Sequence, residues 1–548
     1  MTAAVDVSPA GGVGILGGFH RSVTARPDRP ALRVAGQELT YGDLHGRSSA
    51  LAVALDRNDT DPLARRTAVL AHRSPAAYVG VLATLYSGRS YVPLNPRFPV
   101  QRIADALERS GASSLIVDEQ GEHALDHLLR ARPEGYLVIL PHRADVRDLS
   151  SRFPDHRILG TSELTFPPAE QREPMRAEGA EAYLLFTSGS TGRPKGVPIT
   201  DDNVLAYVRA VTERLQLQEH DRCSQTFDLT FDPSVHDLFV TWERGACVCV
   251  PSDKQLLKPS GFIAQEQLTA WFGVPSLAVL MRRLGGLKPG AYPVLRLVLF
   301  AGEALPVNVA RDFAAAAPNA EVLNLYGPTE ATIACTAYRW DPATSATEDA
   351  RIGVVSIGRP LPGVDALVVD EALHPTSVGE PGELLVSGAQ IAGGYLDDDD
   401  RTAAAFVVPP GQSTIHYRTG DRAVAGSDGL IHFLGRIDSQ VKINGHRVEL
   451  GEVEAALREI RAVDEAVVVA WPETGLSTAT GLVGFVSLSA DSDRASGAIG
   501  NELKAALTAR LPSYMVPRSI RVLPALPKNV NGKYDRSTLR ASLEATDE

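Results

Sequence analysis

Thr187-Ser188-Gly189-Ser190-Thr191-Gly192-Arg193-Pro194-Lys195-Gly196 follows directly on the apolar run Tyr183 to Phe186. A loop so rich in Gly, Ser and Thr can turn several backbone N–H groups and hydroxyls toward one anion, and Lys195 adds a movable charge. Lysine is scarce in this chain, found only as Lys195, Lys254, Lys258, Lys288, Lys442, Lys504, Lys528 and Lys533. A lysine inside a glycine-rich loop therefore stands out. The pattern is not the Walker loop, because no Lys-Ser/Thr pair follows its last glycine at the required spacing. It reads as a polyphosphate cradle, while the same composition also suits a flexible surface hairpin.

Around this loop, up to about residue 330, amphipathic segments of helical period alternate with short β-rich runs, an α/β signature. Helices are expected at Asp43 to Leu55, Pro75 to Ser87, Val100 to Arg109, Asp202 to Leu215 and Pro306 to Ala316. Strands are expected at Thr67 to Ala71, Ser114 to Val117, Tyr183 to Thr187, Leu295 to Ala301 and Val322 to Tyr326. From about 350 to 435, short strands such as Ala366 to Val369 and Glu383 to Ser387 are separated by Gly and Pro, which predicts a β-rich subdomain. Helices return at Gly451 to Ile460 and Ala498 to Leu511, with strands at Ala466 to Ala470 and Gly481 to Leu488. The expected architecture is α/β: a large N-terminal domain of layered α/β subdomains, residues 1–436, then a small mobile α+β domain, residues 437–548. The joint falls near Arg436 to Ser439, and Ser489 to Gly497 reads as a surface loop.

The chain has 548 residues, 44% hydrophobic and 22% charged, within the ordinary globular range. With 54 Lys+Arg against 66 Asp+Glu the formal charge is -12, so no basic field exists to neutralise a nucleic acid backbone. Four cysteines give neither a disulfide framework nor a CxxC pair. The N-terminus lacks a basic region before its glycine-interrupted apolar stretch, and no run of 18 apolar residues occurs, so no membrane span is expected. These features predict a cytoplasmic protein.

Tyr183 to Val197 (YLLFTSGSTGRPKGV) resembles the phosphate-binding core of the adenylate-forming enzymes: acyl-CoA synthetases, luciferases and nonribosomal peptide synthetase adenylation domains. Further motifs stand in family order: Leu39-Thr40-Tyr41; Tyr91 to Pro96; Phe231-Asp232-Pro233-Ser234; Asn324 to Glu330 (NLYGPTE); Tyr417 to Asp421 (YRTGD); Gly435 to Asp438; Gly445 to Glu454; and Asn531 to Arg536 (NGKYDR). The likeness runs from about residue 39 to 536. It implies a reaction in which a carboxylate attacks the α-phosphate of ATP and expels pyrophosphate, so the protein mainly positions and stabilises charge. Glu330 would hold Mg²⁺, Thr329 would contact the α-phosphate, and Lys195 with Thr187 to Gly192 would hold the polyphosphate. Tyr326, before Gly327, would stack on adenine, and Asn324 would bond its amino edge. Asp421, helped by Arg436, would take the ribose hydroxyls. Lys533 resembles the adenylation lysine, Asp438 the hinge, and Asn444 to Arg447 the loop that passes the pantetheine arm. Asn444 departs from the usual Arg, and Lys442 reads equally as a site or a surface-strand residue.

At the place of Asp232, amino-acid-activating members present an Asp to the substrate's α-ammonium; the residue also suits a helix N-cap. The remaining pocket positions map to Pro233, His236, Phe272, Leu299, Ala301, Leu325, Ile333 and Ala334. This lining is apolar except for His236, which predicts a small uncharged side chain, alanine first. His236 either walls the pocket as a neutral ring or bonds a polar group. No carrier-domain motif follows Arg536, so the expected partner is a separate phosphopantetheinyl carrier protein. An acid:CoA ligase and a non-catalytic nucleotide-binding scaffold remain as alternatives.

Overall fold

The computed structural model describes residues 12–59, 61, 65–132, 135–164, 172–189, 193–342, 349, 352–488, 496–528 and 534–547. The chain divides into two compact units. The first contains residues 1–94, 107–184 and 198–252; the second contains 95–106, 185–197 and 253–548.

In the first unit, Arg66–Leu70 lies between Ser90–Leu94 and Ser114–Val117, and Leu137–Leu140 and Arg157–Gly160 extend the row, all parallel. Tyr91 pairs in parallel with Tyr183 at the start of the strand that leads to the glycine-rich loop. Every residue of Ser90–Leu94 and Ser114–Val117 is buried, as parallel strands covered on both faces require. Helices Tyr41–Asn58 and Asp201–Leu215 begin slightly earlier than periodicity predicts. Thr40 and Thr200 form capping boxes with Asp43 and Asn203, which draw the preceding residues into the first turn. A second group of strands places Cys247–Cys249 between Arg222–Ser224 and Pro30–Val34. The turn Pro233–Val235 runs into a π-helical segment, His236–Val240.

In the second unit, Ala270–Gly273, Leu297–Phe300 and Glu321–Tyr326 are parallel, with Thr336–Trp340 antiparallel beside them. The β-rich region is an antiparallel set of Val364–Val369, Gly382–Gly388, His416–Ala425 and Ile431–Arg436. Beyond it, Gln440–Ile443 and His446–Glu449 form a hairpin, and Val463–Ala470, Leu482–Leu488 and Ser519–Val522 form a sheet. Alternation along Val463–Ala470 serves two cores. Ala466 and Val468 meet Val453 and Leu457 of helix Leu450–Arg458 and Leu503 and Leu507 of helix Ser496–Thr508. Val467 and Val469 meet Leu539 and Leu543. Ser496 and Gly497, expected in a loop, open the helix instead, since a first turn with unbonded N–H groups tolerates polar residues. The result is the expected α/β architecture, a large N-terminal and a small C-terminal domain. No described helix is long and apolar enough to cross a membrane.

Candidate active site

Strand Lys195–Thr200 starts on the lysine that closes the glycine-rich loop. Its side chain is not a free arm. Lys195 Nζ donates to Glu330 Oε1 at 2.6 Å and to the Tyr395 hydroxyl at 3.0 Å, and the residue is only 7% exposed. This corrects the expectation of a movable charge: burial pushes the ammonium down to about 8, against the pull of Glu330. Glu330 sits fully buried in the one-turn helix Thr329–Ala331, not at a surface helix start. The Tyr395 hydroxyl donates to Oε1 at 2.9 Å, and Arg447 Nη1 donates to Oε2 at 3.1 Å. Burial alone raises a carboxyl, but Lys195 and Arg447 outweigh it and hold Glu330 well below the usual carboxylate range.

The loop itself is shaped by close approach. A Cβ on Gly189 would meet the Arg193 carbonyl at 2.1 Å and the Arg401 guanidinium at 3.6 Å. Thr187 Oγ1 is buried with no hydrogen-bond partner among the described residues, as a hydroxyl reserved for a ligand would be. Ser188 Oγ donates to the Arg447 carbonyl at 2.8 Å. Ser190, Thr191 and Gly192, and likewise Lys533, lie outside the described residues.

Strand Glu321–Tyr326 carries two of the nucleotide candidates. Asn324 Nδ2 donates to the Ser356 carbonyl at 2.9 Å, which leaves Oδ1 buried without a partner, free to accept from an amino group. A Cβ on Gly327 would meet Ala334 Cα at 2.6 Å, so glycine is required there. Asp421 lies within strand His416–Ala425, not in a turn. Its carboxylate is not an open pair of acceptors: Tyr326 donates its hydroxyl to Oδ2, and Arg436 Nη1 donates to Oδ1 at 2.7 Å. Ribose hydroxyls would use its remaining lone pairs. Arg436 also forks onto Asp438, with Nε to Oδ1 at 2.9 Å, and so ties the ribose candidate to the hinge candidate.

The hairpin Gln440–Glu449 turns through Asn444 and Gly445, both with positive φ, 49° and 84°. Asn tolerates that conformation better than Arg, which accounts for its presence. A Cβ on Gly445 would strike Val274 Cγ1 at 2.5 Å, and the Gly445 N–H donates to the buried carboxylate of Glu303. Burial pushes the Lys442 ammonium down, and Asp421 and Glu303 are the charges that push it up. Tyr395, Glu303 and Glu452 were not singled out from sequence, and Arg447 was named only as the end of the pantetheine loop. Glu303 stands one residue, Gly302, beyond the predicted strand Leu295 to Ala301, the one local signal that marks it.

Asp232, Pro233 and His236 belong to the first unit. Asp232 is buried and makes no side-chain cap to the following turn, so the N-cap reading fails. Its charge is felt by Tyr91, Tyr183 and Tyr207, whose phenols are raised first by burial and then by Asp232. His236 Nδ1 lies 2.6 Å from the Tyr207 hydroxyl, and burial pushes the imidazole down to about 3, so the ring is neutral. The other six candidates are buried in the second unit. Phe272 and Leu299 are register partners, and Ala301 and Leu325 share their parity. Thr332 and Ile333 both have positive φ, 54° and 75°, a strained turn for β-branched residues. Gln390 holds it: its carbonyl accepts from Thr332 Oγ1, and its Nε2 donates to the Ala334 carbonyl at 2.8 Å.

No cluster of three or more His, Cys, Asp or Glu fit for a metal occurs among the described residues. Mg²⁺ bound through one carboxylate, substrate phosphates and water needs no such cluster, and ionised Glu330 suits that role.

A glycine-rich loop whose lysine is locked to an ionised carboxylate, on this succession of domains, fits an adenylate-forming ligase fold. The chain belongs to the AMP-binding enzyme family, whose profile matches residues 19–396, with the profile of the AMP-binding enzyme C-terminal domain on residues 452–533. Over 530 residues, 95% of the chain, it is 33% identical to tyrocidine synthase 3 of Brevibacillus parabrevis, of which it spans only 7%. Among solved structures it is similar to the Vibrio cholerae adenylation domain AlmE in complex with glycyl-adenosine-5'-phosphate. The TM-score is 0.86 and the identity 31%, covering 97% of this chain and 98% of that one. It is also similar to IdnL7, 36% identical with a TM-score of 0.70, covering 98% and 99%.

Proposed function

We propose that this chain activates a small, uncharged amino acid as its aminoacyl-AMP and passes the aminoacyl group to the phosphopantetheine thiol of a separate carrier protein. The observation that carries this reading is the Lys195–Glu330 pair beside the Thr187 to Gly189 segment, a charge-matched place for a metal-bound polyphosphate. In the first step a substrate carboxylate oxygen attacks the α-phosphorus, the bond to the bridging oxygen breaks, and pyrophosphate leaves. Thr187, Ser188 and Gly189 donate to the phosphates, and Lys195 and Thr329 steady the charge that develops. Mg²⁺, held by Glu330, would neutralise charge on the departing phosphates. Asn324 and Tyr326 hold adenine, and Asp421 with Arg436 holds ribose. Lys533 bridges the carboxylate and the α-phosphate, then withdraws as the small domain, residues 437–548, turns about Asp438.

Asp232 takes the α-ammonium, and Phe272, Leu299, Ala301, Leu325, Ile333 and Ala334 limit the side chain. Alanine is the favoured substrate, with glycine, serine and 2-aminobutyrate next. AlmE is bound to the smallest aminoacyl adenylate, which supports a small substrate here. Neutral His236, engaged with Tyr207, supports the role of a wall. The test is amino-acid-dependent ATP/pyrophosphate exchange across a panel, followed by loading of a carrier protein and of free CoA. Best exchange with a small amino acid and preferential carrier loading are expected. A best rate with aspartate, arginine or a fatty acid would overturn the substrate assignment, and efficient CoA thioester formation without carrier loading would favour the acid:CoA ligase.

A further inference from the structure

The short turn that follows Glu330 is held from the β-rich region. Gln390 stands in the loop after strand Gly382–Gly388, 58 residues along the chain from Thr332, and is 1% exposed. Its backbone carbonyl accepts from Thr332 Oγ1 at 2.5 Å. Its side-chain Nε2 donates to the Ala334 carbonyl at 2.8 Å, and the Ala331 and Thr332 carbonyls lie 3.4 and 3.5 Å from it. Three carbonyls around one amide nitrogen decide which end of the side chain faces the turn, because an oxygen there would be repelled. The same loop reaches the residue before the turn: the Ala392 N–H donates to the Glu330 carbonyl at 2.9 Å.

The turn needs holding. Thr332 and Ile333 carry φ of 54° and 75°, where a β-branched side chain crowds its own backbone, so the pair persists only because its surroundings over-determine it. Relaxation to negative φ would carry Ile333 and Ala334, both buried, away from their present places. On the opposite side Gly327 admits the turn: a Cβ there would meet Ala334 Cα at 2.6 Å and the Ile333 carbonyl at 2.9 Å. The turn is thus seated against Gly327 and latched by Gln390.

We propose that Gln390 is a specificity-determining positioning residue: by latching the strained Thr332–Ile333 turn it fixes where Ile333 and Ala334 meet the substrate side chain, and so sets how sharply the size of that side chain is read. The inference rests on the proposed reading that Ile333 and Ala334 line the amino acid pocket. Gln390 acts through the turn and not on a reacting atom. Its effect falls on the amino acid rather than on ATP, since the nucleotide candidates Asn324 and Tyr326 sit on a strand of their own, Glu321–Tyr326.

The test is ATP/pyrophosphate exchange by the full-length protein with glycine, alanine, 2-aminobutyrate and valine. Gln390→Met keeps the length of the side chain but donates nothing. It is expected to raise the KM for the preferred amino acid about tenfold and to cut the preference over the next larger one by a similar factor, the scale of one methylene in an apolar pocket, while the KM for ATP stays within about twofold of the parent. Glycine takes positive φ without strain, so the double variant Gln390→Met with Thr332→Gly should recover the parent preference. Thermal unfolding confirms that each variant is folded; if Gln390→Met is not, Thr332→Val, which removes only the hydroxyl donated to the Gln390 carbonyl, should show the same loss of preference, and its absence overturns the proposal. An unchanged preference, equal rises in both KM values, or no recovery in the double variant would also overturn it. Ile333→Ala separates the inference from the reading beneath it. A shift in preference with Ile333→Ala but not with Gln390→Met overturns the inference and leaves the pocket assignment standing; no shift with either, or no exchange with any of the four amino acids, overturns both.

Discussion

Glu330 and Asp232 are both buried carboxylates, and the surroundings of each have a different character. Around Glu330 the fold supplies cations: Lys195 Nζ at 2.6 Å and Arg447 Nη1 at 3.1 Å, with the Tyr395 hydroxyl completing Oε1. Around Asp232 the groups that sense its charge are phenols, Tyr91, Tyr183 and Tyr207, and it caps no helix. A carboxylate compensated by its own protein stabilises the fold and is poised to exchange one counter-charge for another. The setting of Asp232 suits the proposed incoming ammonium. We propose that the same residue chemistry holds a cation cluster together in one region and selects substrate in the other.

The comparison is broken most readily at Glu330. Glu330→Gln leaves Lys195 and Arg447 buried without their anion and is expected to lower folding stability by about 3–5 kcal/mol. Urea unfolding reads this directly, and an unchanged midpoint would mean that the cluster does not carry the fold. Asp232→Ala should behave in the opposite way. Exchange with the preferred amino acid is expected to fall by about 2–5 kcal/mol in apparent transition-state stabilisation, by more than folding stability falls. Equal losses in exchange and stability would erase the distinction between the two carboxylates.

His236 sharpens the same contrast through pH. Its folded pKa is about 3, below the ordinary 6.5, because burial disfavours the cation. Between those values the unfolded chain binds a proton that the folded chain refuses, so stability falls as pH drops from 6.5 toward 3. His236→Gln removes that titration and keeps a partner for Tyr207; it should flatten the acid side of the stability curve by on the order of a few kcal/mol. Urea midpoints between pH 4 and pH 7 check it. The smallest expected effect is at Thr187. Thr187→Val deletes a buried hydroxyl that bonds nothing in the described protein, so stability should hold or rise by up to about 1 kcal/mol while the KM for ATP increases. A clear loss of stability would mean that the hydroxyl serves the fold rather than phosphate.

Much of this was readable along the chain. The alternation before residue 330, the Gly- and Pro-punctuated strands of 350–435 and the returning helices correspond to elements of the structure, because helical and strand periods write burial into local order. The glycines of the loop and of the Gly445 turn were legible for the same local reason. Boundaries at Thr40 and Thr200 were displaced because capping is decided by a side chain three residues from its partner, outside the apolar period. Tyr395, Glu303 and Glu452 escaped notice because their partners, Glu330, Gly445 and Gly189, lie far along the chain.

By itself the sequence determined the α/β order, the succession of a large and a small domain and the candidate nucleotide residues, since side-chain chemistry, turn glycines and hydrophobic period are local properties. Only the tertiary structure decided how those residues are charged and what they hold. Lys195 and Glu330 stand 135 residues apart yet 2.6 Å from each other. Coulomb energy depends on distance through space and on burial, neither of which is written in the spacing of residues along the chain.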